Sequence, residues 1–186
     1  ISRRGLLPEA EPEIGDALTS YFKNEGITLV SGITYDRIEE RNGSIILTVQ
    51  DEGVSREISS EKVLVATGRA PNVESLNLGL ADIELNEVGG VKVDERLRTT
   101  RENVYAAGDV TGRDQFVYMA AYGAKSAAKN AMNSNSLSYD NSAMPAVVFT
   151  DPQIASVGLT EAQAKQQGLD VRTSVLTLDH VPRALA

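Results

Sequence analysis

The chain has 186 residues, 26 of them acidic and 18 basic, and it contains no cysteine, no tryptophan and one histidine. The formal charge of -8 argues against a nucleic-acid-binding protein, which would present a basic face. The lack of cysteine excludes a disulfide framework and thiolate chemistry on these residues. Because no long apolar run and no export signal are visible, the composition predicts a cytoplasmic α/β protein without a membrane segment.

Three helices are predicted in chain order. Pro12 opens the first, whose apolar residues recur at intervals of three and four, and Gly26 ends it. An alanine-rich helix is predicted from about Phe116 to Met132. Thr160 suits the N-cap of a third, short helix.

A β-meander is predicted around two tight turns. Asn42-Gly43 favours a hairpin because both residues accept positive φ, and a second turn is expected at 51–53. The three meander strands are predicted at 34–41, 44–50 and 54–59. Other strands are predicted at 27–30, 62–66, 91–93, 103–107, 144–149 and 171–178. The polar stretch 133–141, rich in serine and asparagine, is predicted to be a linker.

Two junctions between a strand and a loop are the candidates for chemistry. Gly68 follows one apolar strand in the sequence Ala-Thr-Gly-Arg-Ala-Pro-Asn, and a glycine there lets a ligand or backbone approach closely. Asp109 follows another in Tyr-Ala-Ala-Gly-Asp, where its carboxylate can accept hydrogen bonds from sugar or polyol hydroxyls. Alone, each is commonplace and more often structural. Together, about forty residues apart, they are a stronger functional signal than either.

These two junctions resemble the flavin-dependent pyridine nucleotide-disulfide oxidoreductases. Three further stretches look like the mercuric reductases of that family rather than its glutathione reductases or dihydrolipoamide dehydrogenases. They are residues 115–118, 144–153 and 176–186. The dihydrolipoamide enzymes typically begin the flavin helix with an Ala-His-Lys-Ala type of sequence, where this chain has Val-Tyr-Met-Ala-Ala.

The resemblance implies an α/β fold assembled from parts of Rossmann-like FAD- and NAD(P)-binding domains, with a β-meander. Residues 1–70 would be the C-terminal half of the NAD(P)-binding domain, and 71–140 the returning segment of the FAD-binding domain. Residues 141–186 would start the α+β dimerisation domain. On this expectation the chain is internal to a longer polypeptide, whose glycine fingerprints and two cysteine pairs lie outside it.

The resemblance also implies cofactor contacts for five residues. Asp109 would hydrogen-bond the flavin ribityl chain, and the Val117 amide would face the flavin ring near its C2 carbonyl. Gly68 would lie against the nicotinamide cofactor. Arg3 and Arg4 would lie where a strand of the nicotinamide domain ends, and arginine there suits the 2′-phosphate of NADPH. The alternative is that they are two solvated charges. No catalytic residue and no metal ligand is assigned to this chain.

The implied parent enzyme is a cytoplasmic homodimer that confers mercury resistance. It would pass electrons from NADPH through FAD and a cysteine pair to Hg(II), giving Hg(0). One alternative is a disulfide oxidoreductase similar to dihydrolipoamide dehydrogenase. Another is that the chain is a catalytically inert module that folds or pairs without cofactor. His180 is expected to be structural or at the surface.

Overall fold

The computed structural model describes residues 1–181, which form two compact units. One unit contains Ile1–Leu64 and the chain from Pro145 onward; the other is Val65–Met144. The helices are α1 (Pro12–Asn24), α2 (Val117–Met132) and α3 (Glu161–Gln166). The strands are β1 (Thr34–Arg41), β2 (Ser44–Asp51), β3 (Val54–Ser60), β4 (Pro145–Val148) and β5 (Ile154–Val157). No helix among residues 1–181 has the length and apolar character needed to cross a membrane.

The first unit contains the predicted meander. Strands β1, β2 and β3 form one antiparallel sheet with β2 in the centre. Asn42 and Gly43 have φ of 55° and 78°, so the hairpin turn takes the positive-φ conformation that its sequence predicts. Val49 of β2 is fully buried and Leu18 of α1 is also in the core. The predictions of α1 and of all three meander strands are confirmed, with ends that differ by at most two residues.

The part of this unit that follows Pro145 contains the hairpin β4–β5 and the short helix α3. Thr160 caps α3 with a capping box: its hydroxyl accepts from the Gln163 amide at 3.2 Å, and the Gln163 side chain accepts from the Thr160 amide at 3.0 Å. The predicted strand at 144–149 is confirmed as β4, whereas β5 was not predicted.

The second unit is built on α2, which is confirmed within one residue of its predicted start. Around it, residues 85–105 pair only through isolated bridges: Leu85 with Val91, Val93 with Thr99, and Arg98 with Tyr105. The predicted strands 91–93 and 103–107 are therefore wrong as continuous strands. The apolar core of this unit comprises Ile83, Val91, Leu97, Met119 and Ala127.

Three other predicted strands are wrong for a shared reason. A strand needs a neighbour to which it is hydrogen-bonded along its length, and within residues 1–181 these segments have no such neighbour. In segment 27–30, Val30 O accepts one backbone bond from Ser2 N at 2.8 Å. Segment 62–66, predicted to be buried, is exposed, with Leu64 90% accessible. Residues 172–177 are exposed and form no strand, and a 3₁₀ turn follows at Leu178–His180.

The composition of the stretch 133–141 predicted a linker, but in the structure this stretch is bonded to the rest of its unit. The side chain of Asn130, 2% exposed on α2, donates to Leu137 O at 2.7 Å and accepts from Leu137 N at 2.8 Å. Tyr139 N then donates to Glu95 O at 2.7 Å. Its ring lies 5.3 Å from the ring of Tyr122 on α2. The segment after α2 therefore returns along the helix and is fixed to it.

Candidate cofactor-binding site

Asp109 lies in a 3₁₀ turn, Asp109–Thr111, that follows Gly108. Gly108 has φ 78° and ψ -160°, and a Cβ there would lie 2.9 Å from the Cβ of Ala120 on α2. Glycine is therefore needed both for the backbone conformation and for the close approach to the helix. The Asp109 side chain is exposed and makes no hydrogen bond or ion pair in the part of the chain that the structure describes. Its carboxylate is open to a ligand with hydroxyl donors.

The turn that carries Asp109 is held by the segment 86–91. Val91 N donates to Val110 O at 2.8 Å, and Asn86 Nδ2 donates to Thr111 O at 2.8 Å. Asn86 Oδ1 accepts from Gly90 N at 2.9 Å, and a Cβ at Gly90 would overlap the Thr111 carbonyl. Sequence reasoning did not find this support. The available signal was an asparagine shortly before a Gly-Gly pair, which is typical of a tight turn.

The start of α2 presents a positive end with no cap. The N-cap residue Phe116 supplies no side-chain acceptor, and there is no acidic residue in the first turn. The carbonyl of Phe116 accepts from Met119 N and Ala120 N, each at 3.0 Å. Val117 is 88% exposed, and its amide has no acceptor among residues 1–181. Such an amide at a helix N-terminus attracts an electron-rich group.

The structure brings the two predicted junctions together within the second unit. Gly112 has φ 72°, and a Cβ on it would lie 3.3 Å from Pro71 Cγ, in the loop that follows Gly68. Gly68 itself has φ 119°, is exposed and has open space where a Cβ would lie. Its backbone conformation favours glycine, but beyond its immediate chain neighbours no atom of the described chain lies within 4 Å of the position that a Cβ would take. The space is therefore open to a ligand.

Arg3 and Arg4 belong to the other unit and lie on its surface. Arg4 forms an ion pair with Glu9 at 2.9 Å, and both side chains are mostly exposed. Arg3 has no ion-pair or hydrogen-bond partner in the described chain. An exposed pair of this kind contributes little to stability, so an incoming phosphate could replace Glu9 as the partner of Arg4.

Two family descriptions match the chain along most of its length. The family described as pyridine nucleotide-disulphide oxidoreductase matches residues 2–131, and the dimerisation domain of the same family matches residues 144–186. The chain belongs to the pyridine nucleotide-disulfide oxidoreductase family. Enzymes of this family use FAD and NADPH. The predicted fold class is thereby confirmed. Of the stretch 176–186, whose sequence resembles mercuric reductases, the last five residues lie outside the described part of the chain.

Curated members of the family match almost the whole chain. It is 47% identical over 180 residues to a mercuric reductase of Bacillus cereus, and this match covers 97% of the chain and 28% of the relative. It is 45% identical to a mercuric reductase of Staphylococcus aureus, with 97% of the chain and 33% of the relative covered. The chain therefore spans about a third of the length of these relatives.

Solved structures of two bacterial proteins are similar to the chain along almost its whole length. The HOCl-induced flavoprotein disulfide reductase RclA from Escherichia coli matches with a TM-score of 0.82 at 28% identity. The match covers 98% of this chain and 42% of the RclA chain. LpdA from Mycobacterium tuberculosis matches with a TM-score of 0.83 at 26% identity, covering 96% of this chain and 38% of its own.

Proposed function

We propose that this chain is part of an NADPH-dependent mercuric reductase and supplies contacts to its FAD. The observation that carries the proposal is the similarity to relatives named mercuric reductase, at 38–47% identity over 97% or more of the chain. When bound, FAD would transfer two electrons from NADPH to a cysteine pair and on to Hg(II), giving Hg(0). Because this chain has no cysteine, residues outside it must supply the thiols.

The Asp109 turn and the start of α2 carry groups that fit a flavin. Asp109 offers an exposed carboxylate without a partner in the described chain, which can accept hydrogen bonds from the ribityl hydroxyls. Val117 offers an amide that has no acceptor among residues 1–181 and lies at the positive end of a helix, where it can donate to the electron-rich edge of the ring near C2. That edge gains negative charge on reduction, so the amide favours the reduced form.

Gly68, Arg3 and Arg4 are proposed to contact NADPH. The open space at Gly68 leaves room for the nicotinamide part of the cofactor against the backbone. The guanidinium groups of Arg3 and Arg4 suit the 2′-phosphate, because arginine donates in a fork that matches phosphate oxygens. Arg3 is the stronger candidate, since Arg4 is paired with Glu9.

Domain organisation and assembly follow from the same proposal. Residues 1–70 belong to the NAD(P)-binding domain, 71–140 to the FAD-binding domain and 141–186 to the dimerisation domain. The match of residues 144–186 to a dimerisation domain supports a homodimer. A cytoplasmic location remains a prediction from composition.

The test is acceptor specificity in the full-length protein that contains this chain. We expect NADPH oxidation that depends on Hg(II) with an added thiol, and little oxidation with lipoamide or glutathione disulfide. The two disulfides address the alternative of a disulfide reductase, a description that RclA carries in its name. Turnover of a disulfide without Hg(II)-dependent NADPH oxidation would reject the mercuric reductase proposal in favour of that alternative.

A further inference from the structure

A polar and aromatic cluster lies beside the start of α2, and none of its residues is among the cofactor contacts proposed above. Its members are Arg113, Asp114, Tyr122, Tyr139 and Asn141. We propose that Asp114 is a positioning residue, which with Tyr139 and Asn141 clamps the loop before α2 and so fixes the Val117 amide against the flavin. This inference rests on the proposed function, because it requires a flavin at the start of α2.

Asp114 joins the helix start to a segment distant in sequence. Its carboxylate accepts from Tyr139 Oη at 3.0 Å and from Asn141 Nδ2, which lies 3.1 Å from Oδ1 and 2.9 Å from Oδ2. Its backbone carbonyl accepts from the amide of Phe116, the N-cap residue of α2, at 2.6 Å. Asp114 has φ 37°, an unfavourable value for a residue with a side chain, and the carboxylate bonds offset that cost.

Tyr139 is a rigid partner for this carboxylate. Its ring packs 5.3 Å from the ring of Tyr122, and the guanidinium of Arg113 lies 5.3 Å from the centre of the Tyr139 ring. A Cβ at Gly123 would lie only 3.3 Å from Tyr139 Cε2, so the ring sits directly on α2. Burial and the hydrogen bond to Asp114 raise the pKa of Tyr139 to about 12. The phenol is therefore protonated at neutral pH and donates to Asp114.

The bonds of Asp114 affect the candidate site because they hold the loop from which α2 and the Val117 amide begin. The Asp109 turn is fixed by Asn86, but the loop from 113 to 116 is tied through the Asp114 carboxylate. An amide that donates to a charge developing on a ligand must be held in place beforehand, since a small displacement weakens the interaction steeply. Loss of the clamp should therefore change flavin binding and not only stability.

The experiment compares Tyr139→Phe and Asp114→Asn with the unmodified full-length protein. The dissociation constant of FAD is measured by titrating the apo-protein, and the midpoint potential of the bound flavin is measured against a reference dye. We expect each variant to raise the dissociation constant about three- to tenfold, which is about the net contribution of one ordinary hydrogen bond. We also expect the potential to become more negative, because the amide stabilises the reduced flavin less.

Tyr122→Phe is the matched control. It removes a tyrosine hydroxyl from the same cluster, but this hydroxyl accepts from Asp140 N at 3.4 Å and has no bond to Asp114 within residues 1–181. We expect its FAD dissociation constant to stay within about twofold of the unmodified value. If Tyr139→Phe and Asp114→Asn match this control in both affinity and potential, the clamp proposal is overturned, whatever their melting temperatures.

Failure of the flavin-binding part of the proposed function gives a different result, whichever acceptor the full-length protein reduces. In that case the unmodified protein does not bind FAD, or it binds FAD with an affinity that Asp109→Ala leaves unchanged. Either outcome removes the flavin from the start of α2 and overturns the clamp inference with it. Binding that depends on Asp109 but not on Asp114 or Tyr139 would overturn the clamp inference alone.

Discussion

Among single residues, Asp109 is the side chain on which the flavin proposal depends most directly. Its carboxylate is exposed, unpaired within the described chain and held on a turn that Asn86 supports. In the full-length protein we expect Asp109→Ala to raise the FAD dissociation constant by about tenfold or more, because hydrogen bonds to a charged carboxylate are lost. Asp82→Ala is the control, since it removes another exposed carboxylate of the same unit, one bonded to Arg101. Equal FAD dissociation constants for the two variants would refute the role of Asp109.

The arginines near the N-terminus give a second prediction about individual side chains. Replacing Arg3 and Arg4 together by alanine should raise the KM for NADPH about tenfold and leave the KM for NADH almost unchanged, because only NADPH carries the 2′-phosphate. Steady-state kinetics with each cofactor measures the difference. Glu9→Gln is an informative companion because it releases Arg4 from its ion pair without removing an arginine. Equal increases in KM for both cofactors would contradict contact with the 2′-phosphate and favour the alternative, in which the two arginines are solvated charges.

Among the structural elements, the turn at 86–90 decides where Asp109 is placed. A Cβ at Gly90 would overlap the Thr111 carbonyl, so Gly90→Ala must displace one of the two turns. We expect it to lower the melting temperature of the full-length protein by several degrees and to weaken FAD binding. Gly79→Ala makes the same substitution in the same unit where a Cβ meets open space, and it should do neither. A similar melting temperature and FAD affinity for the two variants would show that the close approach at Gly90 does not matter.

Elements governed by local chemistry were predictable from sequence. Helix α1 has proline at its start, the Asn42-Gly43 turn has residues that accept positive φ, and Thr160 forms a capping box. Each of these depends on residues a few positions apart. The predicted strands at 27–30, 62–66 and 171–178 failed because an apolar run specifies burial, whereas a strand also requires a neighbour that local sequence does not identify.

For the molecule as a whole, the absence of cysteine sets a limit on what these 186 residues can do. We expect the chain expressed alone to show no Hg(II)-dependent oxidation of NADPH, because the reaction requires thiols that the chain lacks. The assay is the loss of NADPH absorbance on addition of Hg(II), with the full-length protein as the positive control. Activity from this chain alone would contradict the proposal that the thiols lie outside it.

In the candidate site, too, features that depend on neighbouring residues were predicted, whereas contacts between residues distant in sequence were not. The junctions at Gly68 and Asp109, the helix that begins near Val117 and the lack of thiol chemistry were all readable from the amino-acid sequence, because each is a matter of residue type and close spacing. The fold was needed to show that Pro71 packs against Gly112, that Asn86 holds the Asp109 turn and that Tyr139 returns along α2 to reach Asp114. These contacts join residues 25 or more positions apart along the chain, and they form because the core around α2 brings those segments together.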